Sequence, residues 1–216
     1  MRYTKILKKR RFYVMSISLL LFLILAILVL KHDYLEIDIY GYNFISSNII
    51  SDKITPIIKI LTNFGGGLFL ILLAIFSYKF IKDKRFFYGI IINLSMSISL
   101  NLFLKLLLQR NRPVTNRIIN EIGYSFPSGH SMVSMAFYGF IIYLVYVYCN
   151  NKKIKWPVIL FLICIILIIG LSRVYLGVHY LSDVLAGFCF SLAYLIVYIY
   201  FFNKYLWKTK SINAVK

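Results

Sequence analysis

Acid is what this sequence has least of. Only seven of its 216 residues are Asp or Glu, against 25 Lys and Arg, for a formal net charge of +18. So large an excess of base suggests a nucleic-acid partner. The basic residues, however, fall between apolar runs rather than along one exposed face, which excludes that class. Cysteine is scarce too: Cys149, Cys164 and Cys189 are the full set. None falls in an outer loop of the topology derived below, so no disulfide framework is implied, and their spacing does not suit a metal site. Six positions after Cys149 stands Lys155 rather than Arg, which excludes a cysteine-phosphatase loop. Glu36 and Asp38 make no convincing metal cluster, so no divalent ion and no cofactor are expected. The chain also lacks internal repeats and low-complexity segments.

What it has instead is apolar sequence, at 61% of residues. That is far above the soluble average and predicts an all-α, polytopic membrane protein, one integral membrane domain over residues 1–216. Six spans are predicted, packed in one bundle. The first runs over Phe12–Leu30. It is long for the apolar core of a signal peptide, and no small-residue cleavage site closes it. Residues 31–55 are mixed and predict an outer segment, partly an interfacial amphipathic helix. The second span covers Pro56–Phe80 and contains Gly65-Gly66-Gly67. No strand and turn surround these glycines and no Lys-Ser/Thr follows them, so they predict close helix packing rather than a phosphate loop. The third span runs from Phe86 to about Leu108, the fourth from Ser128 to about Tyr148, and the fifth from Trp156-Pro157 to about Ser172. The sixth runs from about Val178 to Phe202.

The informative residues are polar ones at span ends. Arg173, His179 and Asp183 lie within the stretch Ser172–Asp183, where charge is costly to desolvate and so marks function. His179 and Asp183 are four apart, which on a helix puts them on one face. A carboxylate bonded to one ring nitrogen fixes the tautomer and leaves the other free as nucleophile or base. Asn93, Ser97, Asn101 and Lys105 recur every four residues and predict a polar stripe facing the bundle interior, ending in a full charge. Lys105, Arg112 and Arg173 can neutralise a phosphoryl group without a metal. Ser128 and Gly129 open a helix, whose N–H groups and dipole favour an anion. Arg110 and Arg117 read as a widening of the electrostatic funnel or as lipid head-group contacts. His32, with no motif around it, reads as a solvated interfacial residue.

Six spans put both termini on one side. Seventeen of the 25 Lys and Arg fall in the N-terminal segment, the turns 79–85 and 152–155, and the C-terminal segment, and eight elsewhere. The positive-inside rule therefore makes the termini cytoplasmic and gathers Lys105, Arg112, Ser128, His130, Arg173 and His179 at the outer face.

Three stretches carry a resemblance: Lys105-x6-Arg112-Pro113, Pro127-Ser128-Gly129-His130, and Ser172-Arg173-x5-His179-x3-Asp183. Together, in this order, the chain resembles the type 2 phosphatidic acid phosphatase family, which includes the vanadium haloperoxidases, over roughly residues 55–203. The resemblance implies that His179 attacks phosphorus to form a phosphohistidine and that Asp183 orients it. It also implies that His130 protonates the leaving oxygen and then activates water. The implied substrate is a membrane lipid phosphate or diphosphate: undecaprenyl diphosphate, phosphatidylglycerophosphate or phosphatidic acid. An outward-facing site slightly favours the first, although all three motifs read the phosphate and none reads the tail. No obligatory protein partner is implied. A phosphotransferase of the same family stays open, since a phosphohistidine can be passed to a hydroxyl other than water. A transporter is disfavoured, because transporters bind near the midplane with broken helices and repeats.

Overall fold

The computed structural model describes residues 2–32, 34–114 and 117–207. Asp33 and the C-terminal Lys208, Lys210 and Lys216 of the charge count lie outside the described residues. Among the described residues every regular element is helical: α1 (Arg2–Lys31), α2 (Glu36–Asn48), α3 (Thr55–Asn63), α4 (Gly67–Ser77), α5 (Lys84–Leu108), α6 (Gly129–Tyr148), α7 (Lys152–Tyr175) and α8 (Leu181–Phe201). A π-helical turn over Phe202–Trp207 extends α8. Five helices are long and apolar enough to cross a bilayer, and α3 with α4 make a sixth crossing if the bent pair is one span. The protein is thus a polytopic membrane helical bundle.

The second span is the main departure from expectation. It is not one helix over Pro56–Phe80 but two, bent by 52° at the glycines. The chain turns there through i→i+3 bonds, from Gly65 N to Thr62 O at 3.0 Å and from Gly66 N to Asn63 O at 2.9 Å. Tyr138 Oη donates to the Phe64 carbonyl at 2.8 Å, satisfying a group that the break would leave orphaned in an apolar interior. The expected close packing is present as well. A Cβ on Gly65 would meet Ile169 Cγ2 at 2.3 Å.

Two helix starts also moved. The fifth span begins at Lys152 rather than Trp156, because Asn151 caps it by accepting from Lys153 N at 3.0 Å. Pro157 therefore lies inside the helix and not at its first position. The sixth begins at Leu181 rather than Val178. Gly177 adopts a left-handed φ of 68° and Tyr180 is extended, so Gly177–Tyr180 form a tight link between α7 and α8.

The core sits between α5, α6, α7 and α8. On α1, Ser18, Phe22, Ala26 and Val29 make one buried face, and Phe22 packs edge-on against Phe190 of α8 at 4.9 Å between centroids. The polar stripe of α5 faces inward as expected. Asn93 donates to Ala136 O at 2.8 Å and Asn101 to Pro127 O at 3.2 Å, both on or beside α6, while Ser97 bonds Leu94 O of its own helix. A Cβ on Gly187 of α8 would lie 3.0 Å from Ser128 O and 3.2 Å from Met132 N. That close crossing of α6 and α8 lets Ser128 N donate to Asp183 O at 3.1 Å. It joins two of the three motifs.

Candidate active site

The C-terminal ends of α5 and α7 and the N-terminal ends of α6 and α8 meet at one end of the bundle. The segments 109–114, 117–128 and 176–180 lie over them. His179 lies in the second of these loops, not on a helix as the four-residue spacing suggested. Its reach to Asp183 survives, with Nδ1 3.3 Å from Asp183 Oδ2, because Asp183 sits in the first turn of α8 and accepts from Tyr180 N at 2.9 Å. On the other ring edge, Arg112 Nη1 lies 3.1 Å from Nε2. A guanidinium can only donate, so Nε2 is the acceptor and the ring proton sits on Nδ1. Burial pushes His179 down to about 3, against the hydrogen bond and charge of Asp183, which raise it. The imidazole is therefore neutral near pH 7, with its lone pair on Nε2.

The predicted cations come together there. Arg112 is clamped by backbone carbonyls: Nε donates to Gly123 O at 2.9 Å, Nη1 to Val178 O at 2.9 Å and Nη2 to Ile122 O at 3.2 Å. Lys105 Nζ donates to Tyr124 O and, at 3.3 Å, to Ser125 O. Arg173 donates from Nη1 to Thr62 Oγ1 at 2.8 Å and from Nη2 to Glu121, and its buried Nε–H has no partner among the described residues. Ser128 caps α6, its Oγ accepting from Ser131 N at 3.5 Å and also from Ser131 Oγ at 3.0 Å. Gly129 is needed for close approach, though to a protein group: a Cβ there would lie 2.9 Å from Asn101 Oδ1. His130 stands at the α6 N-terminus beside the glycine break, its Cδ2 3.3 Å from where a Gly65 Cβ would be. The motif residues Lys105, Arg112, Ser128, Gly129, His130, Arg173, His179 and Asp183 thus lie in one cluster or on its walls. His32, as expected, is exposed.

Four other residues are here that the motifs did not assign. Ser125 Oγ donates to Asp183 Oδ2 and lies 3.2 Å from His179 Nδ1. Glu121 pairs with Arg173 and stands 3.9 Å from Arg112. Arg110, read as part of a funnel or a lipid contact, is neither. It is buried between Asp38 and Asp183 at 2.7 and 2.6 Å. Asp38 arrives from α2. Ser125 stands two residues before the second motif stretch, so its neighbourhood was visible. Nothing in the spacing signals Asp38, Arg110 or Glu121.

A cavity of about 320 Å³ adjoins His179 on the α2 side, lined also by Tyr34, Asp38, Tyr42, Pro113 and Tyr180. It does not reach the cations, so the phosphate-binding argument rests on the charged cluster and not on this cavity.

A helical bundle with several membrane-crossing helices and a buried His–Asp pair beside clustered cations defines a class of integral membrane proteins. The chain belongs to the PAP2 superfamily, whose model matches residues 85–207. It is similar to phosphatidylglycerophosphatase B of Bacillus subtilis (strain 168), 40% identical over 94 residues. That match takes in 43% of this chain and 46% of the relative, so it spans just under half of the relative's length. Among solved structures it resembles a transmembrane PAP2-type phosphatidylglycerolphosphate phosphatase from Bacillus subtilis. The TM-score is 0.77 and the identity 29%, covering 89% of this chain and 98% of that one. It also resembles Aquifex aeolicus LpxE in fold, with a TM-score of 0.57 and 24% identity over 73% and 90% of the two chains.

Proposed function

We propose that the protein is a phosphatase of membrane lipid phosphates that works through a phosphohistidine. The observation that carries this reading is the pair of contacts on the His179 ring, Nδ1 to Asp183 Oδ2 and Nε2 to Arg112 Nη1, from which the Nδ1–H tautomer follows. In the first step Nε2 forms a bond to phosphorus while the bond from phosphorus to the lipid oxygen breaks. His130 gives that oxygen its proton. In the second step water attacks the phosphorus, His130 takes the water's proton, the P–N bond breaks and inorganic phosphate leaves. Lys105, Arg112 and Arg173 hold the spread negative charge of both transition states, with the Gly129 N–H and the dipole at the start of α6, which Ser128 caps. Backbone carbonyls anchor Lys105 and Arg112 in place before the phosphoryl arrives, while Arg173 must exchange Glu121 for it, and the orphaned Arg173 Nε–H is a donor still seeking an acceptor. Transfer to another hydroxyl instead of water is the second reading.

The cluster's place at a bundle end supports a site near the head groups, which a substrate with a long tail would reach sideways from the bilayer. The relative's name makes phosphatidylglycerophosphate the first substrate to test, beside undecaprenyl diphosphate and phosphatidic acid. By the charge count, the termini face the cytoplasm and the site faces outward. The test is phosphate release from these lipids in mixed micelles, with His179→Ala expected to lose at least about 10³-fold in kcat while its melting curve stays close to wild type. Wild-type-like turnover by His179→Ala sinks the reading. A soluble sugar phosphate that beats every lipid in kcat/KM sinks the sideways-entry argument.

A further inference from the structure

The carboxylate that touches His179 is itself held by residues that no motif contains. Arg110 lies between two buried acids. Its Nη1 donates to Asp183 Oδ1 at 2.6 Å and to Ser182 Oγ at 2.7 Å, and its Nη2 donates to Asp38 Oδ2 at 2.7 Å. The guanidinium also lies over the Tyr180 ring, 4.0 Å from its centroid. The second oxygen of Asp38 accepts from Ser182 N at 2.8 Å. Asp38 is 3% exposed and Asp183 wholly buried. Asp38 belongs to α2, outside the residues 85–207 that the family model matches.

An ion pair that only fastens α2 to the bundle would be the plain explanation, but the division of labour on Asp183 goes further. Its Oδ2 takes three groups, His179 Nδ1, Ser125 Oγ and Tyr180 N. Its Oδ1 takes Arg110. Without Arg110, Oδ1 would be a charged oxygen buried without its counter-ion, and the carboxylate would be free to turn or to draw a proton. Only a planar fork can bridge two carboxylates in this way, and a lysine's point charge cannot. The opposing charges also raise Arg110 above its ordinary value although burial alone would lower it, so the bridge stays charged.

Resting on the phosphatase reading above, we infer that Arg110 and Asp38 are positioning residues of the reaction: Asp38 holds Arg110, Arg110 holds Oδ1 of Asp183, and Oδ2 is thereby kept on Nδ1 of His179, which leaves the lone pair on Nε2, where phosphorus displaces Arg112. The helix α2 is then part of the catalytic apparatus rather than a loose interfacial element.

The test compares wild type, Arg110→Gln, Arg110→Lys, Asp38→Asn, Asp183→Asn and the Arg110→Gln/Asp183→Asn double variant on phosphatidylglycerophosphate. Both Arg110 variants are expected to lose about 10- to 100-fold in kcat with KM within about threefold. The double variant is expected to be no worse than Asp183→Asn alone, since residues acting through one chain do not add. Losses that multiply in the double variant, or a full kcat per folded molecule with only a lowered Tm, overturn the inference. A second readout needs no turnover. The chain has three histidines, so ¹⁵N-histidine spectra are simple, and the His179 signals are those lost in His179→Ala. Wild type is expected to show the neutral Nδ1–H ring, and Arg110→Gln to shift away from it. An unchanged tautomer in Arg110→Gln overturns the inference. A wild type that hydrolyses no lipid phosphate defeats the phosphatase reading alone, and the spectra still decide whether Arg110 orients His179.

Discussion

Glu121 occupies ground where an anion belongs. Its carboxylate pairs with Arg173 and approaches Arg112 at 3.9 Å, and with its side chain 30% exposed it can swing out when a phosphoryl group arrives. A substrate must compete with it. Glu121→Gln keeps the shape and removes the charge, so KM for a lipid phosphate should fall by about 3- to 10-fold, roughly the worth of one partly exposed ion pair. Vanadate inhibition should strengthen in parallel, and a raised KM would mean that Glu121 serves to hold Arg173 instead. His179 supplies a pH prediction. Its folded-state value is lowered from 6.5 to about 3, so the unfolded chain binds the proton more readily. Stability from this group is full above pH 6.5 and falls as the pH drops from there toward 3. Thermal melts at pH 7.5 and 5 should therefore separate more for wild type than for His179→Gln, which carries no titrating ring. Equal separations would contradict the burial argument.

At the scale of elements, the bend between α3 and α4 controls the wall behind His130. A methyl on Gly65 would collide with Ile169 Cγ2 at 2.3 Å and press His130 Cδ2 at 3.3 Å. Ile169 is β-branched and stiff, and it cannot swing aside as a long flexible chain would. Gly65→Ala should cost about 1–3 kcal/mol and lower kcat by displacing His130. Gly67→Ala, with nothing within 4 Å of the added methyl, is the control and should leave both Tm and kcat near wild type. Equal effects of the two substitutions would mean that Ile169 and His130 do not confine Gly65. The extension of α7 back to Asn151 and the shortening of α8 to Leu181 have the same lesson. Caps and left-handed glycines set helix ends, and hydropathy does not register them.

For the whole molecule the testable matter is orientation. In a background free of Cys149, Cys164 and Cys189, Asn120→Cys should react with an impermeant maleimide applied to intact cells, and Lys153→Cys only after lysis. Both side chains are exposed, so access across the membrane is what the experiment reads. The reverse pattern would put the site in the cytoplasm and change the substrates available to it.

Hydropathy and local spacing are properties of contiguous residues, and what they determine here is large. Five unbroken spans, the helical class, the inward stripe from Asn93 to Lys105 and the three clusters at one bundle end all follow from the chain read in order, whereas the break in the second span does not. Each motif residue lies on or beside a span end, where desolvation alone makes a charge conspicuous. Tertiary structure decided the rest. Asp38 and Arg110 are 72 positions apart, and each looks like an ordinary interfacial charge until α2 folds over the start of α8 and buries them together. The tautomer of His179 depended on Arg112, which meets it from a separate loop, 67 positions away. Contacts of that range arise from which faces pack, and no periodicity in a single chain encodes them.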